Sequence, residues 1–423
     1  MLLDMNPVIG KGSLQTHLTE SEVREICANA LSNLRLEGKR VLVLISDHTR
    51  HAPTDMFFRI LYDLLADKVK TLDYLIANGT HQAMSMERIY QHVGITEQEH
   101  RERFGKVRFF NHEHKNNAEL ATIGTIPAAE LHVLTNGLFN DAVKVTVNKR
   151  VLECDQILIV SPVVPHESVG FSGGNKYFFP GVGGLDIIQT FHWIAALITN
   201  PLINGVKDTP TRRVIERGAA FIPTPRLCFA FAVNDHHQLA CLFAGDPQEA
   251  WSRAADYSAK LHVNYIDKPY RQILGIAPNI YEEIWVAGKV MYKMEPVVAD
   301  GGELIIYGPH IREISFVHGE AIRKIGYHVR DYFVKQWDRF SKEPRLILAH
   351  STNVRGIGEF ENGVEHPRIA VTLATSIPEE VCRSINLGYR DYRTINLDEW
   401  RARQNGDLLV VENAGQLLYR LRN

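Results

Sequence analysis

A lysine, two histidines and a run of glycines gather in one stretch, Pro165-His166-Glu167-Ser168-Val169-Gly170-Phe171-Ser172-Gly173-Gly174-Asn175-Lys176. It continues through Pro180-Gly181-Val182-Gly183-Gly184 to Phe191-His192-Trp193. Glycines let backbone N–H groups approach a ligand closely, because no Cβ stands in the way. A lysine closing such a loop can meet a phosphate or act as a nucleophilic amine. Histidines on either side can carry protons or bind a metal. The plainer alternative is a mobile Gly-rich turn with a surface lysine.

Other chemistry-bearing residues fall just past apolar runs of strand length. Arg40 to Ile45 reads as a buried strand and ends in Asp47-His48-Thr49-Arg50, ahead of a helix from Asp55 to Leu65. Open α/β sheets bind ligands at such strand ends. The alternative is that Asp47 caps the turn and Arg50 is a solvated charge. A strand from Thr71 to Ala77 ends in Asn78-Gly79-Thr80-His81, and one from Val107 to Phe110 ends in Asn111-His112-Glu113-His114. His112 and His114 share a face if extended, but no third metal ligand stands at a fitting spacing, and they read as structural. Gln156 to Val163 is strand-like and delivers the Gly-rich stretch. If this sheet is parallel, the strand ends converge on one edge. They then bring together two proton carriers (His81 and His166), an anion clamp (Arg50), an amine (Lys176) and a metal ligand (His192).

The elements that must position these residues are those of an α/β protein. Thr19-Glu20-Ser21-Glu22 has capping-box spacing and opens a helix through Leu34. Helices are expected over Met86–Val93, Asp186–Leu197, Thr209–Ala219 and Pro247–Leu261. Strands are expected over Ala142–Asn148, Leu227–Val233 and Leu239–Phe243, the last two paired. Asp267-Lys268-Pro269 interrupts both flanking patterns and marks a domain boundary. The expected division is 1–268, an N-terminal α/β domain carrying the site, then 269–405, a second α/β domain, and 406–423, a packed tail. In the second domain the pattern gives strands at Gln272–Ile276, Glu303–Tyr307, Leu346–Ala349 and Ile369–Leu373. Helices are read over Tyr281–Ala299, Ala321–Gly326, Val329–Phe340 and Glu379–Leu387.

At 423 residues, 45% hydrophobic and 23% charged, the chain has the composition of a soluble globular protein. A formal net charge of −2 gives no global field for nucleic acid or an anionic membrane. No run approaches the roughly 18 apolar residues of a membrane span. Met1 to Gly12 lacks the basic and apolar regions of a secretory signal. The five cysteines are scattered, with no CxxC spacing, which argues against a disulfide framework and a thiolate zinc site. A cytoplasmic protein with reduced thiols is expected.

These residues resemble the nickel-pincer-nucleotide lactate racemase family and its 2-hydroxyacid racemase and epimerase relatives. The resemblance rests on Asp47-x-Thr49-Arg50, on Gly79-Thr80-His81, and on Pro165-His166 followed by Gly170-Phe171-Ser172-Gly173-Gly174-x-Lys176, Pro180-Gly181 and His192. It spans most of residues 40–310. It implies two α/β domains with the active site in the cleft between them. It also implies a nickel-pincer nucleotide, a pyridinium mononucleotide bearing thio groups, attached covalently through Lys176. His192 would then ligate the nickel, with Asp47, His48, Thr49 and Arg50 lining the nucleotide. Arg50 and Lys289 would bind the substrate carboxylate, and His81 and His166 would be the catalytic pair. Implied partners are a small-molecule 2-hydroxyacid and the enzymes that make the cofactor, with no nucleic acid and no membrane; an oligomer is left open.

The match departs from the family in the second domain. Lys289 fits the spacing to Gly301-Gly302 better, and Lys293, four residues on, is the alternative. The lactate enzyme's glutamine three residues before that lysine falls on Val286 here, which points to a different or larger substrate side chain. Two other classes stay open: a nucleotide-binding 2-hydroxyacid oxidoreductase, and a non-catalytic binding homologue. The first lacks a GxGxxG after a strand. The second would be expected to have lost one of His81, His166, Lys176 and His192, and all four are present.

Overall fold

The chain folds into two units, and each takes more than one piece of sequence. The computed structural model describes residues 7–50 and 52–422. Met1–Asn6, His51 and Asn423 lie outside the described residues, and with them the head of the segment read for a secretory signal. The first unit takes residues 1–164, 171–188 and 212–261; the second takes 165–170, 189–211 and 262–423. The structural division therefore differs from the single cut expected after Lys268. It falls slightly earlier, and the second unit also draws in the segments carrying His166 and His192. The strand Val263–Ile266 pairs with Leu418–Leu421, which keeps both in the second unit.

The first unit is built on a seven-stranded sheet of β1 (Ile9–Gly12), β2 (Arg40–Ile45), β3 (Thr71–Ile76), β4 (Val107–Asn111), β5 (Gln156–Pro162), β6 (Arg226–Val233) and β7 (Leu239–Gly245). Their spatial order is β1-β7-β6-β5-β2-β3-β4. From β6 across to β4 every pair is parallel; β7 runs antiparallel to both β1 and β6. β2 and β5 are buried almost throughout, as their unbroken apolar runs require of strands covered on both faces. Helix α1 (Glu20–Ser32) starts on the Thr19–Glu22 capping box, and α2 (Thr54–Leu65) follows β2. Phe57, Phe58, Tyr74, Phe104, Phe229 and Phe231 pack the core, and each such ring contributes about 1.5–3 kcal/mol by leaving water.

The order of the sheet decides where a ligand can bind. From β2 the chain steps outward through β3 to β4. It then returns to β5 on the other side of β2 and moves outward again to β6. The connections diverge between β2 and β5, and the carboxyl ends of these neighbours frame the crevice where open α/β sheets take ligands.

The second unit has its own all-parallel sheet. Its strands are β8 (Tyr270–Ile276), β9 (Val298–Gly308), β10 (Ala370–Thr375), β11 (Gly388–Tyr389) and β12 (Leu408–Val411), in the order β11-β10-β9-β8-β12. Residues expected as a tail thus supply an edge strand. Two readings are corrected here. Leu346–Ala349 is not a strand but part of a helix, Arg345–Arg355, buried from Leu346 to Val354. The helix read over Tyr281–Ala299 covers only Ile284–Met294; a short 3-10 turn follows, and β9 already begins at Val298. Val329–Phe340 also divides, into Arg330–Val334 and Trp337–Phe340.

Candidate active site

In the first unit the ends of β2 and β3 meet through two side chains. Nδ1 of His81 lies 2.5 Å from Oδ2 of Asp47. The other carboxylate oxygen, Oδ1, accepts the Thr49 backbone N–H at 3.1 Å and its hydroxyl at 2.7 Å. Asp47 therefore both caps its own turn and holds a histidine from the neighbouring strand. It is only 4% exposed. Burial opposes its ionisation, but the His81 ring and its hydrogen bond, then Thr49 and Arg50, outweigh burial and hold the carboxyl well below the usual range. An ionised carboxylate only accepts, so Nδ1 of His81 is the protonated nitrogen and Nε2 is the basic one.

The glycine-rich turn joins this group. Lys176 is half-buried and sits in a 3-10 turn, Gly174–Tyr177. Burial raises the pKa of the next residue, Tyr177, above the usual tyrosine value, with Ser46 and Arg50 opposing the shift and Asp47 adding to it. Gly79 N–H donates to Gly181 O at 3.0 Å. Asp47, His48, Thr49, Arg50, His81 and Lys176 all belong to the first unit, the first four following directly on β2.

In the second unit the backbone N–H of Ser168 donates to Nδ1 of His166 at 3.1 Å. In its neutral form that ring carries its proton on Nε2, the opposite tautomer to His81. Oε2 of Glu167 lies 3.2 Å from the same Nδ1. His192 lies half-buried on helix α3 (Leu185–Ile198). It belongs with this unit, because 189–211 do.

Helix α6 (Ile284–Met294) carries Trp285, Lys289 and Tyr292 at i, i+4 and i+7, on one face. Helix α7 (Arg345–Arg355) answers with His350. Tyr292 Oη lies 2.9 Å from His350 Nδ1, Tyr327 Oη lies 3.3 Å from Nε2, and the Trp285 ring centroid is 3.9 Å from the imidazole. Burial, then His318 and His192, push the His350 pKa well down. A neutral ring has one N–H and one lone pair, so one tyrosine donates to it and the other accepts. Burial raises the Tyr292 pKa well above its ordinary value, and Glu167 and Tyr327 add to the effect.

The two lysines left as alternatives differ. Lys293 is buried and its ammonium donates to Gln416 O at 2.7 Å, a structural tie. Lys289 is half-buried with its ammonium 4.9 Å from the centre of the Tyr281 ring. His112 and His114, read as structural or peripheral, are both buried. His112 Nε2 donates to Gly183 O at 2.9 Å, and burial lowers both rings to about 4. Sequence reasoning gave no role to Tyr177, Glu167 or His350. Tyr177 beside the lysine was the accessible signal; His350 was hidden by the strand reading of its helix. Among the described residues no group of three or more His, Cys, Asp or Glu side chains is placed to hold a metal, and none has a helix long and apolar enough to cross a membrane.

The chain is similar to several known proteins. Residues 3–201 match the family described as lactate racemase N-terminal domain. The lactate racemase of Thermoanaerobacterium thermosaccharolyticum is 27% identical over 360 residues, covering 80% of this chain and 73% of the relative. That of Lactiplantibacillus plantarum is 24% identical over 304 residues, covering 68% and 66%. A crystal structure of a Thermotoga maritima protein superposes with a TM-score of 0.87 at 34% identity, over 96% of this chain and 99% of that one. The lactate racemase apoprotein of T. thermosaccharolyticum shares the fold, with a TM-score of 0.69 at 20% identity over 98% and 94% of the two chains.

Proposed function

The chain is an isomerase of the lactate racemase family, and from that premise we propose that it inverts C2 of a 2-hydroxyacid with the help of a nickel-pincer nucleotide tethered to Lys176. The residues present fit that group. A half-buried primary amine sits in a glycine-rich turn. Gly173, at φ +89°, leaves no room for a side chain, since a Cβ there would stand 2.6 Å from Ser161 Oγ. A single imidazole at 192 suits a nickel whose other donors come with the cofactor. Lys176 would hold the group covalently, His192 would ligate the metal, and Asp47, His48, Thr49 and Arg50 would line the nucleotide.

When bound, the cofactor supplies a hydride acceptor and donor, so that C2 passes through a flat 2-keto acid. The chain's own residues then handle carboxylate and protons. Arg50 and Lys289 anchor the carboxylate while the ketone turns. The Nε2 lone pair of His81, set by Asp47, takes the hydroxyl proton from one substrate orientation and returns it. His166 serves the opposite orientation. To reprotonate the substrate oxygen it would act as the imidazolium, giving up its Nε2 proton and returning to a neutral ring, with Glu167 Oε2 facing Nδ1.

The observation that carries the reading is the Asp47–His81 pair, which joins the ends of the neighbouring parallel strands β2 and β3. The test is co-expression with the cofactor-making enzymes, then intact mass, nickel by elemental analysis, and inversion at C2 read by chiral chromatography across a panel of 2-hydroxyacids and sugar acids. Added mass on Lys176, bound nickel and inversion of at least one acid are expected. A chain that gains no mass and inverts none of the panel overturns the proposal.

A further inference from the structure

Three successive carbonyls, those of Phe171, Ser172 and Gly173, lead into the turn that bears Lys176, and each has a side-chain donor. Arg212, on helix α4 (Pro210–Ala219), donates through Nη2 to Phe171 O and through Nη1 to Gly173 O, the latter at 3.1 Å. Trp251, on helix α5 (Pro247–Leu261), donates its indole N–H to Ser172 O at 2.8 Å. The next backbone N–H, that of Gly174, donates to Ser161 Oγ at 2.8 Å. Asn175 donates its amide to Glu216 Oε2 at 2.5 Å, and Glu216 Oε1 lies 3.5 Å from Arg212 Nη1. The guanidinium stands 4.0 Å from the centre of the Trp251 ring. All of these residues belong to the first unit.

Arg212 is 3% exposed. Burying a guanidinium is costly, and an apolar side chain of similar volume usually serves packing as well or better. Burial pulls its pKa to about 10, with Glu216 opposing, so it stays charged at neutral pH. Its rigid fork reaches two carbonyls of one loop at once, which lysine's point charge cannot reproduce. The loop needs such restraint, because Gly173 and Gly174 both take positive φ, +89° and +59°, and glycine is the residue with most freedom to lose.

We propose that Arg212, backed by Trp251 and Glu216, is a positioning residue for Lys176: it locks the backbone of 171–175 so that the amine is presented in one orientation for covalent attachment. The attachment rests on the function proposed above; the presentation of the amine does not.

The test compares the full-length apoprotein with its R212K, R212M and W251F variants. Acetylation of Lys176 by an N-hydroxysuccinimide ester is followed by peptide mass spectrometry, relative to the exposed Lys68 and Lys70. In R212M the relative rate should rise about tenfold, the size expected from losing hydrogen bonds to a charged donor. R212K should fall between, and W251F, which loses one hydrogen bond and keeps its ring, should shift less in the same direction. After co-expression with the cofactor-making enzymes, the covalent mass on R212M should be a small fraction of that on the parent. A folded R212M with unchanged Lys176 acetylation and full covalent load overturns the proposal. So does a fall in melting temperature without a change in relative acetylation, which marks a purely structural arginine. If R212M does not fold, R212K and W251F decide: parental acetylation in both overturns it. A parent that gains no mass defeats the proposed function while the acetylation comparison still judges Arg212.

Discussion

Oδ2 of Asp47 and Nδ1 of His81 stand 2.5 Å apart, and this one contact sets the chemistry of the ring. Asp47→Asn replaces an acceptor with an amide that can donate to Nδ1, which would move the ring proton to Nε2 and leave no base there. The rate of inversion at C2 should fall about 10²–10⁴-fold, the usual worth of a positioned general base. Steady-state inversion at saturating substrate, normalised to bound nickel, checks this, and a D47N enzyme at parental rate contradicts it.

His112 gives a pH dependence with a definite sign. Its buried ring resists protonation down to about 4, against 6.5 when free, because burial outweighs its Gly183 bond. Above pH 6.5 both folded and unfolded rings are neutral and stability is unaffected. As pH falls from 6.5 toward 4, only the unfolded ring gains a proton, and roughly 3 kcal/mol of stability is lost by linkage. Urea unfolding at pH 7 and pH 4.5 should show a smaller loss in His112→Gln, whose amide can still donate to Gly183 O.

Lys289 and Lys293 should separate cleanly. Lys293→Met leaves Gln416 O without its donor and should cost about 1–3 kcal/mol in denaturant unfolding, with little change in KM. Lys289→Met should leave stability nearly unchanged and raise KM for the 2-hydroxyacid at least tenfold, as expected for a lost carboxylate contact. The reverse pattern would exchange their roles.

Gly288 faces the hydroxyl of Tyr292. A Cβ there would stand 2.6 Å from Tyr292 Oη and 3.0 Å from Val354 Cγ2. Gly288→Ala should push Tyr292 off His350 and cost about 1–3 kcal/mol by overpacking. Tyr292→Phe removes the same hydrogen bond without overpacking and should cost about 1 kcal/mol. Thermal unfolding of both variants tests the ordering.

Much of the first unit could be read directly. The runs Arg40–Ile45 and Gln156–Pro162 are long, apolar and bounded by polar turns, so pattern and burial agree. The residues at their ends could be flagged by type and position. The second unit resisted where one pattern fits two structures. Leu346–Ala349 is four apolar residues, short enough for a strand and equally the buried side of a helix. Asn362-Gly363, both at positive φ, turns the hairpin Gly358–Glu361 and Val364–Pro367; that dipeptide is a strong hairpin signal that went unread. Arg212 carried a quieter one, a cation on the buried side of an amphipathic helix, four residues before Glu216. Membership of His166 and His192 in the second unit has no local signature, because it depends on partners more than a hundred residues away.

That membership has a consequence for biogenesis. The segments bearing His166 and His192 leave the ribosome well before residues 262–423, which complete the unit that receives them. Until the last strands are synthesised, these segments have only the first unit for company. Completion of the unit that holds His166 and His192 is therefore tied to the end of translation, and under the function proposed above cofactor loading is expected to follow it.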